Sequence, residues 1–430
     1  MTLRNQKSIR IVTTIRTDKR IRIQRGTIMI GRRKLLLSTA GAGLFLASPG
    51  LLRHASAAGD VLKVGIPVPI SGGNAANGKY ASRGAIIAAE EATAKYGREV
   101  KTFDLDTEGK PATAVRKVQD AIQQEGIQLF AGGILSSESL AMGKEADKGG
   151  ANFITTAGAD EITGTECNAA TFRWSVPTFG AINQSIRPII DALPNAKRWY
   201  TVTPQYVFGE GLLQATKDVL EEKGLELVGN SYHSLTEKEF SGYLTNAIAA
   251  KPDVLLILNF GAQCADTLRQ AVSFGLKERM TIVVAWASGL EQFEALGADL
   301  CEGIYFGAQY WHTIDSPTNA ELVKLTRAKY NENPNYSLAG SYICTKLMID
   351  AAMKAGSTDQ KAVQAALKGM TYAGLTGEEM VRPEDNQVIK NYYLLKAKAK
   401  SAMADKDDFA EVISSGQSFL EVANTGCKLS

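Results

Sequence analysis

The chain has 430 residues, 45% of them hydrophobic, which is enough for two domains of ordinary size. Its net charge of +3 hides an asymmetry, because residues 1–57 hold twelve basic residues and a single acid, Asp18. The rest of the chain has 36 basic and 44 acidic residues, a net charge of −8, so nucleic-acid binding loses its main electrostatic support.

Residues 1–57 predict an export signal with an N-terminal extension. Residues 31–34 (GRRK) are charged, residues 35–52 are apolar, and residues 55–57 (ASA) form a small-residue cleavage site. The adjacent arginines fit a twin-arginine signal and a general secretory signal equally well. The segment before a second possible start, Met29, predicts no fold of its own. No later segment is long and apolar enough to cross a membrane, so we expect a periplasmic protein.

Apolar strands alternate with helical patterns from residue 61 onward. The first series of predicted strands comprises residues 61–68, 99–105, 127–134 and 152–156, with helices over 80–96, from Pro111, and over 138–148. A crossover at 172–177 leads to a second series, with strands at 198–202, 225–230, 254–259, 281–285 and 303–307, and helices at 179–192, 209–223, 240–249, 262–274 and 290–296. A second crossover at 309–315 precedes helices at 319–331, 338–355 and 359–367 and a late strand at 391–398. This order predicts two α/β halves with parallel sheets.

Two neighbouring strands of the first half end in loops that offer hydroxyls and free backbone N–H groups. Ser136 and Ser137 follow the strand 127–134, and residues 157–161 follow the strand 152–156. In parallel sheets, small ligands bind beyond the carboxyl ends of the strands. We therefore predict the ligand's primary anchor here. Capping of the helix that follows is an alternative role for Ser136 and Ser137, and the two roles can coexist.

Seven segments, in this order behind an export signal, carry a resemblance to a known family. They are KVGIPVPISGGNAANG (63–78), GGILSSESLA (132–141), ITTAGADEITG (154–164), FRWSVP (172–177), YVFGEGLL (206–213), DVLLILNFGAQCADTLRQA (253–271) and VRPEDNQ (381–387). The chain resembles the periplasmic solute-binding proteins of branched-chain amino-acid type ABC importers, which have the type I binding-protein fold. The resemblance implies two Rossmann-like lobes joined by three hinge crossings. It places lobe one at residues 60–178 plus 310–378, and lobe two at 179–309 plus 379–430.

The resemblance also implies ligand-binding positions. Ser136 falls where the family uses a hydroxyl to hold a carboxylate, and Ala157 and Ala159 fall where backbone groups do the same. Charge-assisted hydrogen bonds of this kind are stronger than neutral ones. Asn77 stands where the amino-acid binders have an aromatic residue, and Asp160 follows Ala159, where they have a second hydroxyl.

A third departure concerns the acid that the amino-acid binders place after the strand 281–285 to meet the ligand's ammonium group. Here that loop reads WASG (286–289), with no carboxylate before Glu291. A free ammonium group would have to find Asp160 instead, since a buried ammonium without a partner is costly. Asp160 has an alternative role as a cap for the helix that begins at Glu161. The departures favour a small, aromatic carboxylate over leucine, isoleucine or valine.

Lobe two is expected to complete the site with aromatic and small polar side chains at strand ends. The candidates are Tyr206, Phe260, Trp286 and Ser288. Such a wall suits an apolar or aromatic ligand body that is anchored at one end by lobe one. Each aromatic residue has an alternative role as ordinary core, and Tyr206 is favoured for the site because its ring and its hydroxyl both lie at a strand end.

The five cysteines are too few for a disulfide scaffold, although export permits a bridge. Cys264, Cys301 and Cys344 lie in apolar stretches, whereas Cys167 and Cys427 lie in polar surroundings and form the candidate pair. The chain has no CxxC and only three histidines, one of them in the signal. We therefore predict no metal site and no cofactor.

We predict the substrate-binding component of an ABC importer, a monomer that captures a small solute and delivers it to permease subunits of the inner membrane. The solute is an amino acid, its amide, or a small carboxylate. A periplasmic sensor is the alternative. An exported hydrolase is disfavoured because no strand ends in a G-x-S-x-G turn and no histidine has an apparent nucleophile, so we predict no enzyme.

Overall fold

The structure is a computed structural model that describes residues 61–429, so the predicted export signal lies outside the described residues. Its framework is one sheet of eight strands and one sheet of seven. Most strands in each sheet are parallel, and helices lie between them in sequence. Each sheet with its helices forms one lobe.

Lobe one begins with three β-α units and two further strands, and all five strands pair in parallel. Its elements are β1 (Leu62–Val68), α1 (Ala75–Tyr96), β2 (Val100–Asp106), α2 (Pro111–Glu125), β3 (Leu129–Gly132), α3 (Ser136–Lys148), β4 (Asn152–Thr155) and β5 (Thr171–Arg173). A 3-10 helix, Asp160–Thr163, lies between β4 and β5. Local chemistry sets the bounds of α2: Pro111 starts it without losing a needed N–H, and Gly126 ends it with a φ of 66°. Strands β3 and β4 are buried along their whole length, as parallel strands covered on both faces must be.

Lobe two repeats the pattern. Its elements are α4 (Thr178–Ala192), β6 (Arg198–Pro204), α5 (Val207–Glu222), β7 (Glu226–His233), α6 (Ser241–Ala250), β8 (Val254–Ile257), α7 (Gly261–Ser273), β9 (Thr281–Val284), α8 (Leu290–Leu296), α9 (Ala298–Cys301) and β10 (Tyr305–Ala308). Strand β8 lies between β6 and β9 and is fully buried, as its apolar run predicts. The parallel order β7-β6-β8-β9-β10 aligns the carboxyl ends of these strands along one edge.

The chain then returns to lobe one and ends with strands in both sheets. The remaining elements are α10 (Pro317–Tyr330), α11 (Tyr336–Ala355), α12 (Gln360–Leu367), β11 (Thr371–Gly374), β12 (Gly377–Arg382), β13 (Gln387–Ile389), β14 (Tyr392–Ala397), a 3-10 helix Lys400–Ala402, β15 (Ala410–Gly416) and α13 (Val422–Thr425). Helix α11 packs so closely on α1 that a Cβ on Gly84 would lie 2.0 Å from the Leu338 carbonyl oxygen. Glycine is therefore required at this crossing of the two helices.

The predicted boundary between residues 378 and 379 is wrong. Strands β11, β12 and β13 pair with one another, and β13 pairs with β5, so residues 371–389 belong to the first sheet. The chain crosses to the second sheet only at Lys390–Asn391. Antiparallel hairpins give no β-α rhythm, which is why the pattern of the sequence does not mark them.

The three crossings are joined by buried polar side chains. Gln309, on the second crossing, pairs with the main chain of Val176, on the first, through bonds of 2.9 and 2.8 Å. Lys390, on the third, donates to the carbonyl oxygens of Gln309 and Asn391, both at 2.9 Å, and lies 4.3 Å above the Trp174 ring. Burial lowers the pKa of Lys390 to about 7, and the charge of Glu379 opposes that shift. The hinge is therefore one hydrogen-bonded unit.

The last described residues do not stay with lobe two as predicted. A disulfide joins Cys427 to Cys167, the pair singled out from the sequence, so the tail after β15 reaches lobe one. Cys264, Cys301 and Cys344 are free and buried, in agreement with their apolar surroundings. Within residues 61–429, no helix has the length and apolarity that a bilayer span requires.

Candidate functional site

A cleft lies between the carboxyl ends of the strands of the two sheets. From lobe one it receives the loops after β1, β3 and β4, and from lobe two the loops after β6, β8 and β9. The lobes touch across it at Gly158, where an added Cβ would lie 2.7 Å from Trp286 and 2.8 Å from Phe208. They also touch where Asn77 Nδ2 approaches Glu291 Oε1 at 3.4 Å. The described structure is thus a closed arrangement of the lobes.

The predicted anchor residues come together, and their polar groups are already partly engaged. The Ala159 N–H donates to Ser136 Oγ at 3.1 Å, and the Ala157 N–H donates to Thr155 Oγ1 at 3.1 Å. Ser136, Ala157 and Ala159 are each at most 1% exposed. A hydroxyl that accepts one hydrogen bond still has its own hydrogen to donate. Ser136 is therefore positioned to serve both Ala159 and an acceptor from outside the chain.

Ser136 and Ser137 do not cap the helix that follows them. The residue before the first turn of α3 is Leu135, and no side chain caps that end. Ser136 and Ser137 lie inside the first turn, where Ser137 is partly exposed. Glu138, in the same turn, is fully buried, and burial raises the pKa of its carboxyl to about 7. The capping alternative is wrong, because the helix begins one residue earlier than that role requires.

The Asp160 carboxylate is engaged by a helix of lobe two. Its Oδ1 accepts from the Phe179 N–H at 3.1 Å, in the first turn of α4, so it caps a helix of lobe two instead of the helix predicted. Burial raises the pKa of the Asp160 carboxyl, and the charge of Arg173 opposes that shift. Arg173 donates to the Ala159 carbonyl and to Gln387 Oε1, at 2.7 Å to the latter. These charges hold the first crossing and the loop after β4 in place.

An aromatic wall runs through the cleft from lobe two to lobe one. Ring centroids are 5.9 Å apart for Tyr206 and Phe208, 5.2 Å for Phe208 and Trp286, and 6.2 Å for Trp286 and Tyr336. Phe260 joins the same wall through Tyr336, at 6.5 Å. The Tyr336 hydroxyl donates to the Thr156 carbonyl, so this residue of α11 ties the wall to the anchor loop. Trp286 and Phe208 are at most 4% exposed, and Tyr206 and Phe260 are partly buried.

A cavity of about 320 Å³ opens beside this wall, with residues from both lobes around it. Ligand pockets commonly hold about 300–1,000 Å³, so the cavity suits a small solute. Two predicted ligand residues, Asn77 and Ser288, line it together with Tyr80, Gly261 and Glu291. The predicted anchor residues and the predicted aromatic residues do not line it.

Two acids line this cavity: Asp266 is paired with Arg269 at 3.0 Å, whereas Glu291 has no cationic partner among the ion pairs of the described residues. Its Oε1 faces Asn77, and its buried Oε2 has no hydrogen bond of ordinary geometry within the described residues, although Ser288 and Asn335 lie near enough to the carboxyl to favour its charged form. Burial raises the pKa of the Glu291 carboxyl to about 8. A buried carboxyl in this state either keeps its proton or needs a donor from a ligand. Asn77 also donates to Ser337 Oγ at 3.2 Å, so one side chain of α1 links α11 to Glu291 of lobe two.

A family model described as periplasmic binding protein matches residues 61–402.

The chain belongs to the periplasmic binding protein family.

Similar proteins fit this assignment. The chain is 55% identical to the solved amino acid ABC transporter substrate-binding protein from Pseudomonas fluorescens Pf-5, with a TM-score of 0.83, covering 86% of this chain and all of that one. It is 23% identical over 331 residues to the leucine-, isoleucine-, valine-, threonine-, and alanine-binding protein of Pseudomonas aeruginosa. The matched region covers 75% of this chain and 86% of the relative. A solute-binding protein from R. palustris, solved in complex with benzoate, is 23% identical with a TM-score of 0.76 over 86% of this chain and all of that one.

The predicted two-lobed α/β fold and the predicted role as a solute-binding protein of an ABC importer are confirmed for this periplasmic binding protein. The structure also brings in residues that the sequence analysis did not select. Tyr336 and Ser337 come from α11, some 180 residues after the anchor loops, and no local signal marks them. Glu291 had a signal, because it is the first acid after the strand-end loop. It lies two residues beyond that loop, WASG (286–289), so the strand-end pattern does not include it.

No metal centre emerges from the described part of this periplasmic binding protein. Between residues 61 and 429, no group of three or more His, Cys, Asp or Glu side chains could hold a metal ion. His233 is buried, with Nε2 3.3 Å from Asn259 Nδ2, and its ring packs 5.0 Å from Phe240. Its environment is that of a core side chain.

Proposed function

We propose that this protein captures a small solute between its lobes in the periplasm and delivers it to ABC permease subunits of the inner membrane, without catalysing a reaction. The observation that carries the proposal is the cavity of about 320 Å³ whose walls come from both lobes. A solute there contacts both lobes at once, so its binding favours the closed form over the open one. A permease that reads the closed form then receives only loaded protein.

We propose an amino acid or its amide as the solute. Glu291 Oε2 is a buried acceptor without a hydrogen bond of ordinary geometry within the described residues, and an ammonium or amide N–H satisfies it. A carboxylate placed against Glu291 would meet a second carboxyl, so it binds there only while Glu291 keeps its proton. Because Ser136, Ala157 and Ala159 do not line this cavity, the solute's carboxylate or carbonyl end must extend beyond it along the cleft to reach the Ser136 hydroxyl. The name of the solved protein from Pseudomonas fluorescens Pf-5 supports this class.

A small aromatic carboxylate is the second candidate. The wall of Tyr206, Phe208, Phe260, Trp286 and Tyr336 offers ring contacts to an aromatic body that extends out of the cavity along the cleft, and an acidic end would again be anchored by Ser136. The structure with benzoate shows that a protein of this fold accommodates such a ligand. Glu291 must then keep its proton, as its raised pKa of about 8 allows at neutral pH.

Thermal unfolding with leucine, leucinamide and benzoate tests the proposal. A ligand that binds only the folded protein raises Tm with concentration, since at 100 times Kd it adds about 2.7 kcal/mol to the free energy of unfolding. We expect leucine or leucinamide to raise Tm, and Glu291→Gln to remove that response. A response to benzoate alone would transfer the assignment to the second candidate. Solute capture would be contradicted if native mass spectrometry found no bound solute on the purified protein and none of the three compounds raised Tm.

A further inference from the structure

The segment after β15 makes a fourth connection between the lobes. Strand β15 belongs to the second sheet and ends at Gly416. Ser418 still lies on lobe two, because a Cβ on Gly180 of α4 would be 2.0 Å from its carbonyl oxygen. Two residues later, the Leu420 carbonyl accepts from Arg382 Nη1 at 3.1 Å, and Arg382 belongs to β12 of lobe one. The chain from Ser418 to Leu420 spans at most about 7 Å when fully extended, so the tail crosses between the lobes within that distance.

On lobe one this tail is attached at further points. Helix α13 packs on the 3-10 helix Asp160–Thr163, and a Cβ on Gly164 would lie 2.8 Å from the Thr425 carbonyl oxygen. Cys427 then bonds covalently to Cys167, 260 residues earlier in the chain. The Arg382 anchor is itself fixed by a two-bond ion pair with the buried Asp385, at 2.9 and 2.6 Å.

The non-covalent part of this attachment is weak. Every residue from 417 to 429 is partly or fully exposed, and Phe419, which packs against the main core, is only partly buried. Chain ends with this little burial fray, because the entropy gained on release exceeds the loss of a few surface contacts. The disulfide removes that freedom at Cys427, so the contacts at Ser418 and Leu420 are held between two fixed ends. The matched family region ends at residue 402, before the tail begins.

We propose that the Cys167–Cys427 disulfide makes residues 417–427 a covalent strap that limits how far the lobes separate in the ligand-free protein. The strap ties α4 of lobe two to β12 of lobe one across two residues, next to the first crossing. Any hinge rotation that separates these elements must break the Arg382–Leu420 hydrogen bond or lift Ser418 from α4. With the disulfide intact, the tail stays attached to lobe one at Cys427 even if either contact breaks. The proposal concerns the ligand-free protein and stands apart from the choice of solute.

The test compares three ligand-free samples: oxidised wild type, wild type in dithiothreitol, and Cys167→Ser/Cys427→Ser. Dithiothreitol supplies two electrons and two protons, so the S–S bond becomes two thiols while the reagent becomes its cyclic disulfide. Small-angle X-ray scattering measures the radius of gyration. Amide hydrogen exchange compares the Thr178 N–H, bonded to Gly158 O at the hinge, with the Leu258 N–H, bonded to Val202 O in the second sheet.

We expect both samples without the disulfide to show a larger radius of gyration and an exchange rate about tenfold faster at Thr178, with Leu258 unchanged. The double variant should not respond to dithiothreitol, which serves as the matched control. An unchanged radius of gyration in reduced wild type would overturn the strap. An equal rise in exchange at both amides would also overturn it, since that pattern reports a general loss of stability. The reduced wild type decides the question even if the double variant folds poorly.

Discussion

Gly158→Ala tests whether binding requires the lobe contact that the structure shows. Gly158 belongs to the anchor loop of lobe one, and an added Cβ would lie 2.7 Å from Trp286 and 2.8 Å from Phe208, both of lobe two. Ordinary contacts between carbon atoms are about 3.5–4.0 Å, so closure would have to stop roughly 1 Å short or displace two packed rings. An open form, with the lobes apart, has room for the methyl group.

The expected effect follows from the usual penalty for overpacking. Adding a methyl group to a packed interior costs about 1–3 kcal/mol, and each 1.4 kcal/mol is tenfold in Kd, so the affinity should fall by about 5- to 150-fold. Since only closure is impeded, the free energy of unfolding of the ligand-free protein should change by less than about 0.5 kcal/mol, as for a substitution in open surroundings.

Isothermal titration calorimetry with the ligand identified by thermal unfolding measures the affinity, and urea denaturation measures the stability. Gly242→Ala is the matched control, because a Cβ there would meet nothing within 4 Å. If Gly158→Ala bound the ligand within twofold of wild type, the reasoning that places these lobes in contact during binding would be refuted.

Three further substitutions test the site and the hinge. Glu291→Gln should flatten the pH dependence of stability. The pKa of Glu291 in the folded protein, about 8, exceeds the ordinary 4.5, so its contribution to stability is complete below pH 4.5 and is lost as the pH rises to 8. Urea denaturation at pH 5, 6.5 and 8 measures this change in the free energy of unfolding. Ser136→Ala should weaken ligand binding by about tenfold and lower the free energy of unfolding by about 1 kcal/mol, because it leaves the Ala159 N–H unpaired. Ser137→Ala should change neither quantity. Equal effects of the two substitutions would contradict the role of Ser136 as the ligand's anchor. Lys390→Met should lower the free energy of unfolding by about 2–4 kcal/mol, because it leaves the Gln309 and Asn391 carbonyls without donors. Lys400→Met, at an exposed position, is the control. A change below about 0.5 kcal/mol, the usual size for surface substitutions, would mean that these bonds do not stabilise the hinge.

Much of the fold was predictable because parallel β-α units leave a periodic record in the chain. The buried run of β8 and the proline at the start of α2 are local signals, and both elements form where those signals stand. Strands β11 to β13 leave no such record. Their sheet is decided by pairing with β5, which lies about 200 residues earlier. The predicted lobe boundary therefore came eleven residues too early.

The candidate site was predictable where it depends on strand ends. Ser136, Ala157 and Ala159 meet because β3 and β4 are parallel neighbours, so their carboxyl ends share one edge. The sequence could not predict the hydrogen-bond partner of the Asp160 carboxylate, because that partner, the Phe179 N–H, belongs to the other lobe. It also could not show that Glu291 faces Asn77 across the cleft, since the two residues are 214 positions apart.

The sequence by itself determined the class of protein: its α/β periodicity, the order of its strand-end loops, and the chemistry available at each of them. Only the tertiary structure decided which of those groups meet across the cleft, how the three crossings are bonded, and that the C-terminal tail returns to lobe one. The physical reason is that hydrophobic periodicity and turn chemistry act over a few residues and are written locally. Contacts between lobes depend on how two separately folded sheets dock, which no single segment encodes.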